Sequence, residues 1–281
     1  MVAALSPSRA ADFMQCPLLY RFRVVDRLPT RPSPAAARGT LVHAVLERLF
    51  DLPAASRTVA EAERLVGPQW QLLVEAEPEL AELVDGQDPE ALDRWFGDAR
   101  RLLRTWFELE DPTRLEPAER ELYVETEVDG LTLRGYVDRL DVAADGALRV
   151  VDYKTGRAPA PLFEAKALFQ MKFYALVIWR MRGSIPKLLQ LIYLGSGEIV
   201  RYEPEELDVL ATERKLKALW QAIERAATNG DWRPSTSRLC EWCDHRDICP
   251  AWGGTPPPLP EQAAVRALDP RASALVAVGA E

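Results

Sequence analysis

The sequence predicts an α/β protein, a mixed sheet with helices packed against it. Three observations carry this prediction. Between Glu121 and Gly156, runs of apolar and polar residues alternate with a period of two, the pattern of a three-strand antiparallel meander. A helix-period segment follows at about 162–181 and leads into a largely apolar strand, LLQLIYLG, at 188–195. A second strand, GEIVRYE, and a long amphipathic helix at about 204–228 complete the order, with Asn229-Gly230 as the helix stop.

The 281 residues suffice for a sizeable core, and 48% hydrophobic with 28% charged residues is the balance of a soluble globular chain. No apolar run reaches the length of a membrane span. The first residues lack the basic-then-apolar order of a signal peptide, so a cytoplasmic location is expected. The net charge of −8 argues against a protein that coats nucleic acid through charge alone. A nuclease needs only one basic channel, for which Arg21, Arg23, Arg134, Arg139, Arg157, Lys166 and Lys172 are the candidates.

Taken in order, Ser6 is placed to cap a short helix that ends near Cys16-Pro17. A mixed apolar and basic stretch, LLYRFRVVDRLP, runs into the proline-rich connection TRPSPAA. The next helix, about 36–50, sets Leu41, Val45, Leu46 and Leu49 at core spacing and carries His43, one of only two histidines. Two further amphipathic helices are expected at about 58–77 and 89–110, with the arginines of ARRLLRTWFELE on a solvated face.

The chemistry concentrates in LTLRGYVDRLDVAADGALRVVDYKTG, residues 131–156, two strands joined at Asp145-Gly146. Asp152 and Lys154 are two apart and share a face. A three-residue loop, 144–146, centres on Asp145 and sets Asp138 opposite Asp152; a two-residue Asp-Gly turn would instead pair Asp138 with Tyr153 and turn it away. The apolar residues before each acid, Tyr136-Val137 and Val150-Val151, place the acids at buried strand ends. Two carboxylates and an ammonium on one face suit a divalent metal and attack of water on a phosphodiester. On the following helix Gln170 and Tyr174 are four apart and lie on one face.

Four cysteines complete the inventory. Cys240 and Cys243 form a C-x2-C pair, Cys249 follows before Pro250, and Cys16 stands alone near the N-terminus. The spacing and the final Cys-Pro match local features of iron–sulfur ligation. Structural zinc, held by four thiolates or by three thiolates and His245, is the competing reading. With Cys16 as a ligand, either metal ties the two ends of the fold together across roughly 220 residues. Beyond Trp252 the Pro- and Ala-rich residues 255–281 read as a flexible tail.

Gly39-x3-His43, GYVDRLD with Asp138, VVDYKTG with Asp152 and Lys154, and Gln170-x3-Tyr174 occur in the order found in PD-(D/E)XK nucleases of the RecB class. The one-plus-three cysteine layout resembles the iron–sulfur branch, which includes the AddB nuclease domain and the CRISPR adaptation exonucleases. The resemblance spans about 6–252 and implies a restriction-endonuclease-like mixed central sheet flanked by helices, with an iron–sulfur staple joining the termini. It implies that residues 1–254 form the nuclease domain, with a helical insertion at about 52–119 and a cysteine-rich closure at 235–252. His43, Asp138 and Asp152 would hold Mg²⁺ or Mn²⁺, with the Tyr153 carbonyl as a further ligand. Lys154 would orient the attacking water and offset developing charge. Gln170 and Tyr174 would position the lysine or the strand. Cys16, Cys240, Cys243 and Cys249 would hold a 4Fe–4S cluster.

Two departures bear on function. Val137 stands where the family name has proline, and no G-x4-GK-[ST] loop is present, so no ATP motor is encoded. The expected activity is a metal-dependent DNA exonuclease acting on single strands or DNA ends in repair or recombination, alone or beside a separate helicase. The alternative is a non-cleaving end-binding or scaffold module that acts only with a helicase or a CRISPR adaptation complex.

Overall fold

A computed structural model describes residues 3–31, 33–85, 89–159, 164–261 and 263–268. Its centre is a mixed sheet of six strands: β1 (Ala3–Leu5), β2 (Glu119–Val128), β3 (Leu131–Val142), β4 (Leu148–Lys154), β5 (Leu188–Tyr193) and β6 (Glu198–Tyr202). β2, β3 and β4 form the expected antiparallel meander. The β4–β5 pairing is parallel, because the chain crosses over through a helix between them, and β6 returns antiparallel. β1 pairs in parallel with the start of β3. Its three residues are too few to show a period in the sequence.

Both faces of the sheet are covered. β4 sends Leu148 and Val150 into one core and Val151 and Tyr153 into the other, the alternation of a central strand. The first core is closed by α1 (Pro7–Gln15), α7 (Glu164–Arg182) and α8 (Glu206–Asn229). The second is closed by α3 (Pro34–Leu49), α4 (Val59–Ala76) and α6 (Pro89–Leu109). Burial on both sides is why β5 reads as a largely apolar run, interrupted only by Gln190. Local chemistry sets the helix ends: Ser6, Ser33 and Thr58 each accept a backbone N–H at an N-cap, and Gly230 closes α8 at φ 66°. After α1 the mixed stretch forms α2 (Pro17–Tyr20) and one wide turn through Val25, with the Asp26 N–H donating to the Arg21 carbonyl at 2.9 Å. Between α4 and α6 lies α5 (Glu79–Asp85).

The expected loose tail is corrected as far as residue 268. The helix α9 (Ala263–Leu268) buries Ala263 and Ala267, four apart on one face, in the first core. The Tyr20 hydroxyl donates to the Ala267 carbonyl at 2.8 Å and Arg21 bonds the Pro257 carbonyl. Small residues at helical spacing leave no large apolar signal, and composition alone therefore reads them as linker. Residues 269–281 lie outside the described part.

Candidate active site

The β3–β4 loop resolves the register. Ala143 donates to the Ala147 carbonyl at 2.9 Å, and Gly146, at φ 83°, takes the left-handed position of a three-residue loop. The ladder then runs from Val142↔Leu148 to Arg139↔Val151, which brings Asp138 and Asp152 to the next rung. There the sheet forks. β4 leaves β3 and continues along β5 through Lys154↔Tyr193. The Tyr153 N–H, left without a ladder partner, donates to Asp138 Oδ2 at 2.7 Å. The acid thus occupies the mouth of the fork and satisfies its first free backbone donor.

Helix α7 lies over the opening. Gln170 Nε2 donates to Asp152 Oδ1 at 3.0 Å and contacts the Tyr174 hydroxyl at 3.3 Å, while its Oε1 accepts from Lys154 Nζ at 3.1 Å. Lys154 Nζ also lies 2.6 Å from Asp152 Oδ2. Gly135 makes room for this helix: a Cβ there would stand 2.8 Å from the Tyr174 ring. Gly195, just past β5, makes room instead for the backbone after β4. Its N–H bonds the Gly156 carbonyl at 3.0 Å, and a Cβ would lie 2.6 Å from that oxygen.

From the opposite layer α3 contributes His43. Its Nε2 is 3.0 Å from the Tyr153 carbonyl oxygen and its Nδ1 is 3.6 Å from Asp138 Oδ2. The Tyr153 side chain points into the second core, where Arg139 Nη1 donates to its hydroxyl at 2.7 Å. Arg139 also holds Glu110 at 2.7 and 2.8 Å, and its Nε reaches Asp141. Arg139 is therefore corrected from a DNA-channel candidate to a buried structural cation, 1% exposed. Arg21 is corrected likewise, since it is buried against Asp26. Arg23 pairs with Asp12 and Lys172 with Asp208, whereas Arg157 is exposed. The Lys166 side chain lies outside the described part. Tyr136, two residues before Asp138, is 58% exposed and lies against Tyr123 of β2, the ring centroids 5.3 Å apart and the planes tilted at 57°.

One residue was missed. Glu121 faces Asp138 across the β2–β3 hairpin, between the pairs Arg120↔Arg139 and Leu122↔Val137. Its backbone is left-handed, φ 44°, a conformation that costs a side-chain-bearing residue on the order of 1–3 kcal/mol. The strands change face at this point. Leu122 and Val137 pack in the first core, yet Arg120 and Arg139, two residues on, turn to Asp51 and Glu110 in the other layer. The signal was available in the chain: a two-residue Asp129-Gly130 turn, both residues at positive φ, sets Glu121 opposite Asp138 by counting.

His43, Glu121 and Asp138 bring one ligand atom each within 4.8 Å of one another and could hold a metal ion. Among the described residues, Asp152 is not part of that close group. The residues fit a divalent cation. Asp152 is 2% exposed, and its Oδ2 has the lysine charge nearby but no hydrogen bond. Burial, and then the charge of Asp152, raises the Asp138 carboxyl above its ordinary range. Burial and then Asp138 push Glu121 up to about 7. Burial lowers His43, which keeps the imidazole neutral and able to ligate. Such crowded acids are what a divalent ion relieves.

The four thiols, unpaired by disulfides, line one cavity between the end of α1 and the short turns at 238–252. The Ser235 N–H lies 3.3 Å from Cys16 Sγ and the Ser237 N–H 3.4 Å from Cys240 Sγ. Among the described residues, no three of these sulfurs lie mutually within 4.8 Å. His245 is buried in the same cavity wall.

A forked mixed sheet with an Asp, an Asp-x-Lys and a helical glutamine at the fork defines a nuclease-type scaffold. The chain matches the PD-(D/E)XK nuclease superfamily over residues 4–250, and it belongs to that superfamily. It is 26% identical over 274 residues to the Gene 69 protein of Mycobacterium phage D29, covering 88% of this chain and 96% of the relative. The Gene 69 protein of Mycobacterium phage L5 is 23% identical over 290 residues, with the same coverage. Among solved structures, a Eubacterium rectale protein named "Putative exonuclease" superposes with a TM-score of 0.53 at 12% identity, covering 86% of this chain and 88% of that one. That likeness bears on the fold. No helix among the described residues is long and apolar enough to cross a membrane.

Proposed function

We propose that this nuclease hydrolyses DNA phosphodiester bonds as a metal-dependent exonuclease of the RecB type, on single strands or DNA ends. The observation that carries the reading is the fork, where Asp138, Asp152 and Lys154 converge under Gln170. Asp138, Asp152, His43 and the Tyr153 carbonyl are assigned to Mg²⁺ or Mn²⁺. A bound divalent ion would acidify the attacking water and polarise the phosphate. The residues of the chain supply the rest. Lys154, fixed between Asp152 and Gln170, orients the water and offsets charge on the pentacovalent phosphorane. Tyr174 packs across Gly135 and holds Gln170 in line. The exposed Tyr123–Tyr136 pair, two residues along the strands from Glu121 and Asp138, offers a face on which an unpaired base can stack, which favours single-stranded substrate.

The cysteine quartet is assigned to a 4Fe–4S cluster that staples residue 16 to the C-terminal turns. The two N–H groups aimed at the Cys16 and Cys240 sulfurs suit thiolates that carry the negative charge of such a cluster. The role assigned is in repair or recombination, alone or beside a separate helicase that supplies unwound strand.

The test uses protein purified without air and end-labelled single-stranded DNA, with Mg²⁺, Mn²⁺ or chelator. Metal-dependent shortening from one end, lost in Asp138→Ala and Lys154→Ala, establishes the exonuclease. Tight binding without cleavage in any metal selects the non-cleaving end-binding module instead.

A further inference from the structure

Past Lys154 the chain leaves the sheet through a bend at Thr155-Gly156, and this bend is fastened on two sides. The Leu194 N–H bonds the Lys154 carbonyl at 2.8 Å, and the Ala158 N–H donates to Ser196 Oγ at 3.1 Å. On the other side, a Cβ at Gly39, one helical turn before His43, would stand 3.4 Å from Thr155 Oγ1. The bend carries Arg157, three residues beyond Lys154, a separation that backbone spans in at most about 11 Å. Arg157 is exposed, and among the described residues no carboxylate pairs with it.

The other candidate cations whose side chains are described are engaged. Arg139 and Arg21 are buried on acids, Arg23 and Lys172 pair with Asp12 and Asp208, and Arg134 bonds the Tyr123 hydroxyl. Lys154 itself is held by Asp152 and Gln170. The mouth of the site is acidic, since Glu121 and Glu47 line the groove beside the two aspartates, and the chain carries a net charge of −8. A divalent ion at the fork answers the phosphate that reacts there. The next phosphate along the strand still meets an acidic surface, unless a cation receives it.

We propose that Arg157 is the seat of a second, non-scissile phosphate, adjacent to the one at the fork, in a single strand of DNA. This rests on the nuclease reading and adds a contact which that reading lacks. A guanidinium on a fastened backbone fixes the register of the strand without reading its bases. The Tyr123–Tyr136 pair stands on the opposite side of the fork, on β2 and β3, whereas Arg157 follows β4. The substrate strand therefore crosses the sheet, with a base on the tyrosines at one side and a phosphate on Arg157 at the other.

The test measures binding of a labelled single strand to full-length protein purified without air, with Ca²⁺ replacing Mg²⁺ and the strand length checked afterwards. Salt is varied from about 50 to 200 mM. Arg157→Ala is expected to flatten the slope of log K against log salt by about 0.7, the share of one phosphate on a single strand. Arg157→Lys should restore the slope. Arg201→Ala, an equal change of charge opposite Gln190 on β6, should leave it at the wild-type value. A neutral methylphosphonate, moved one position at a time from the strand end, locates the contact. One position should cost wild type affinity and cost Arg157→Ala nothing. An unchanged slope in Arg157→Ala, or the same methylphosphonate profile in both proteins, overturns the proposal. Cleavage of labelled DNA with Mg²⁺ judges the nuclease reading separately. Cleavage with an unchanged slope rejects the role of Arg157 and keeps that reading, while the expected slope change without cleavage does the reverse. A strand neither bound nor cut by wild type rejects both.

Discussion

Arg139 Nη1 donates to the Tyr153 hydroxyl at 2.7 Å, and this bond anchors the residue whose carbonyl meets His43 and whose N–H meets Asp138. The same guanidinium grips both Glu110 oxygens from the end of α6, so the helical layer and the fork share one buried ion pair, 1% and 7% exposed at the side chains. Removing one partner of such a pair leaves an uncompensated buried charge, worth about 3–5 kcal/mol. Arg139→Ala is therefore expected to lose about that much in urea denaturation. A loss under 1 kcal/mol would mean that Glu110 finds water or another donor.

Gln170 touches both Asp152 and Lys154, and a role exerted through these two makes it a positioning residue. Gln170→Ala is expected to lower cleavage about 10–100-fold, the usual scale for a group that orients others. Lys154→Met should cost more, at least about 100-fold, because the ammonium faces the developing charge. Mn²⁺ binding by both variants should persist. Equal losses in the two would show that the glutamine acts only by holding the lysine.

Glu121 carries a pH signature in metal-free protein. Its folded value is near 7 against an ordinary 4.5, chiefly through burial. Between those values the folded chain binds more protons at this site than the unfolded chain, so this contribution to stability falls as pH rises through the window. His43 works in the opposite sense, since burial lowers it and stability is recovered as pH rises towards 6.5. The difference between wild type and Glu121→Gln isolates the glutamate. With chelator present, the melting temperature of the variant should gain on wild type from pH 4.5 to 7 and then level off. Parallel curves would reject the burial of the charge.

The site was legible in the chain wherever chemistry and period coincide. Asp138, Asp152 and Lys154 share a face because strands repeat every two residues, and the odd loop centred on Asp145 supplied their register. Gln170 and Tyr174 share a face for the corresponding helical reason. What escaped reading depends on breaks in period. Glu121 sits where β2 turns over in a left-handed conformation, and alternation misassigns whatever follows such a point. Arg139 reads as a surface cation, since sequence does not show that Glu110 arrives from the end of α6 to meet it, and Arg21 reads likewise because only the wide turn brings Asp26, five residues on, against it. Tyr136 reads as core by type and is exposed by position.

The cysteine staple is testable through its long span. Cys16 lies at the end of α1 and its sulfur receives the Ser235 N–H, the contact that ties the N-terminal helix to the turns carrying the other three thiols. A ligand that bridges these segments removes closure freedom from most of the unfolded chain, and the gain grows only slowly with length. Protein purified without air is expected to be brown and to hold about four irons per chain. Cys16→Ser should bleach that colour and lower the melting temperature, because three thiols within ten residues cannot hold the N-terminal helix. The fork itself, built from β3, β4 and α7, contains none of these cysteines, so Mn²⁺ binding should survive the substitution at low temperature. A colourless wild type with one zinc per chain would replace the cluster with a mononuclear site and require the thiols to close in on binding.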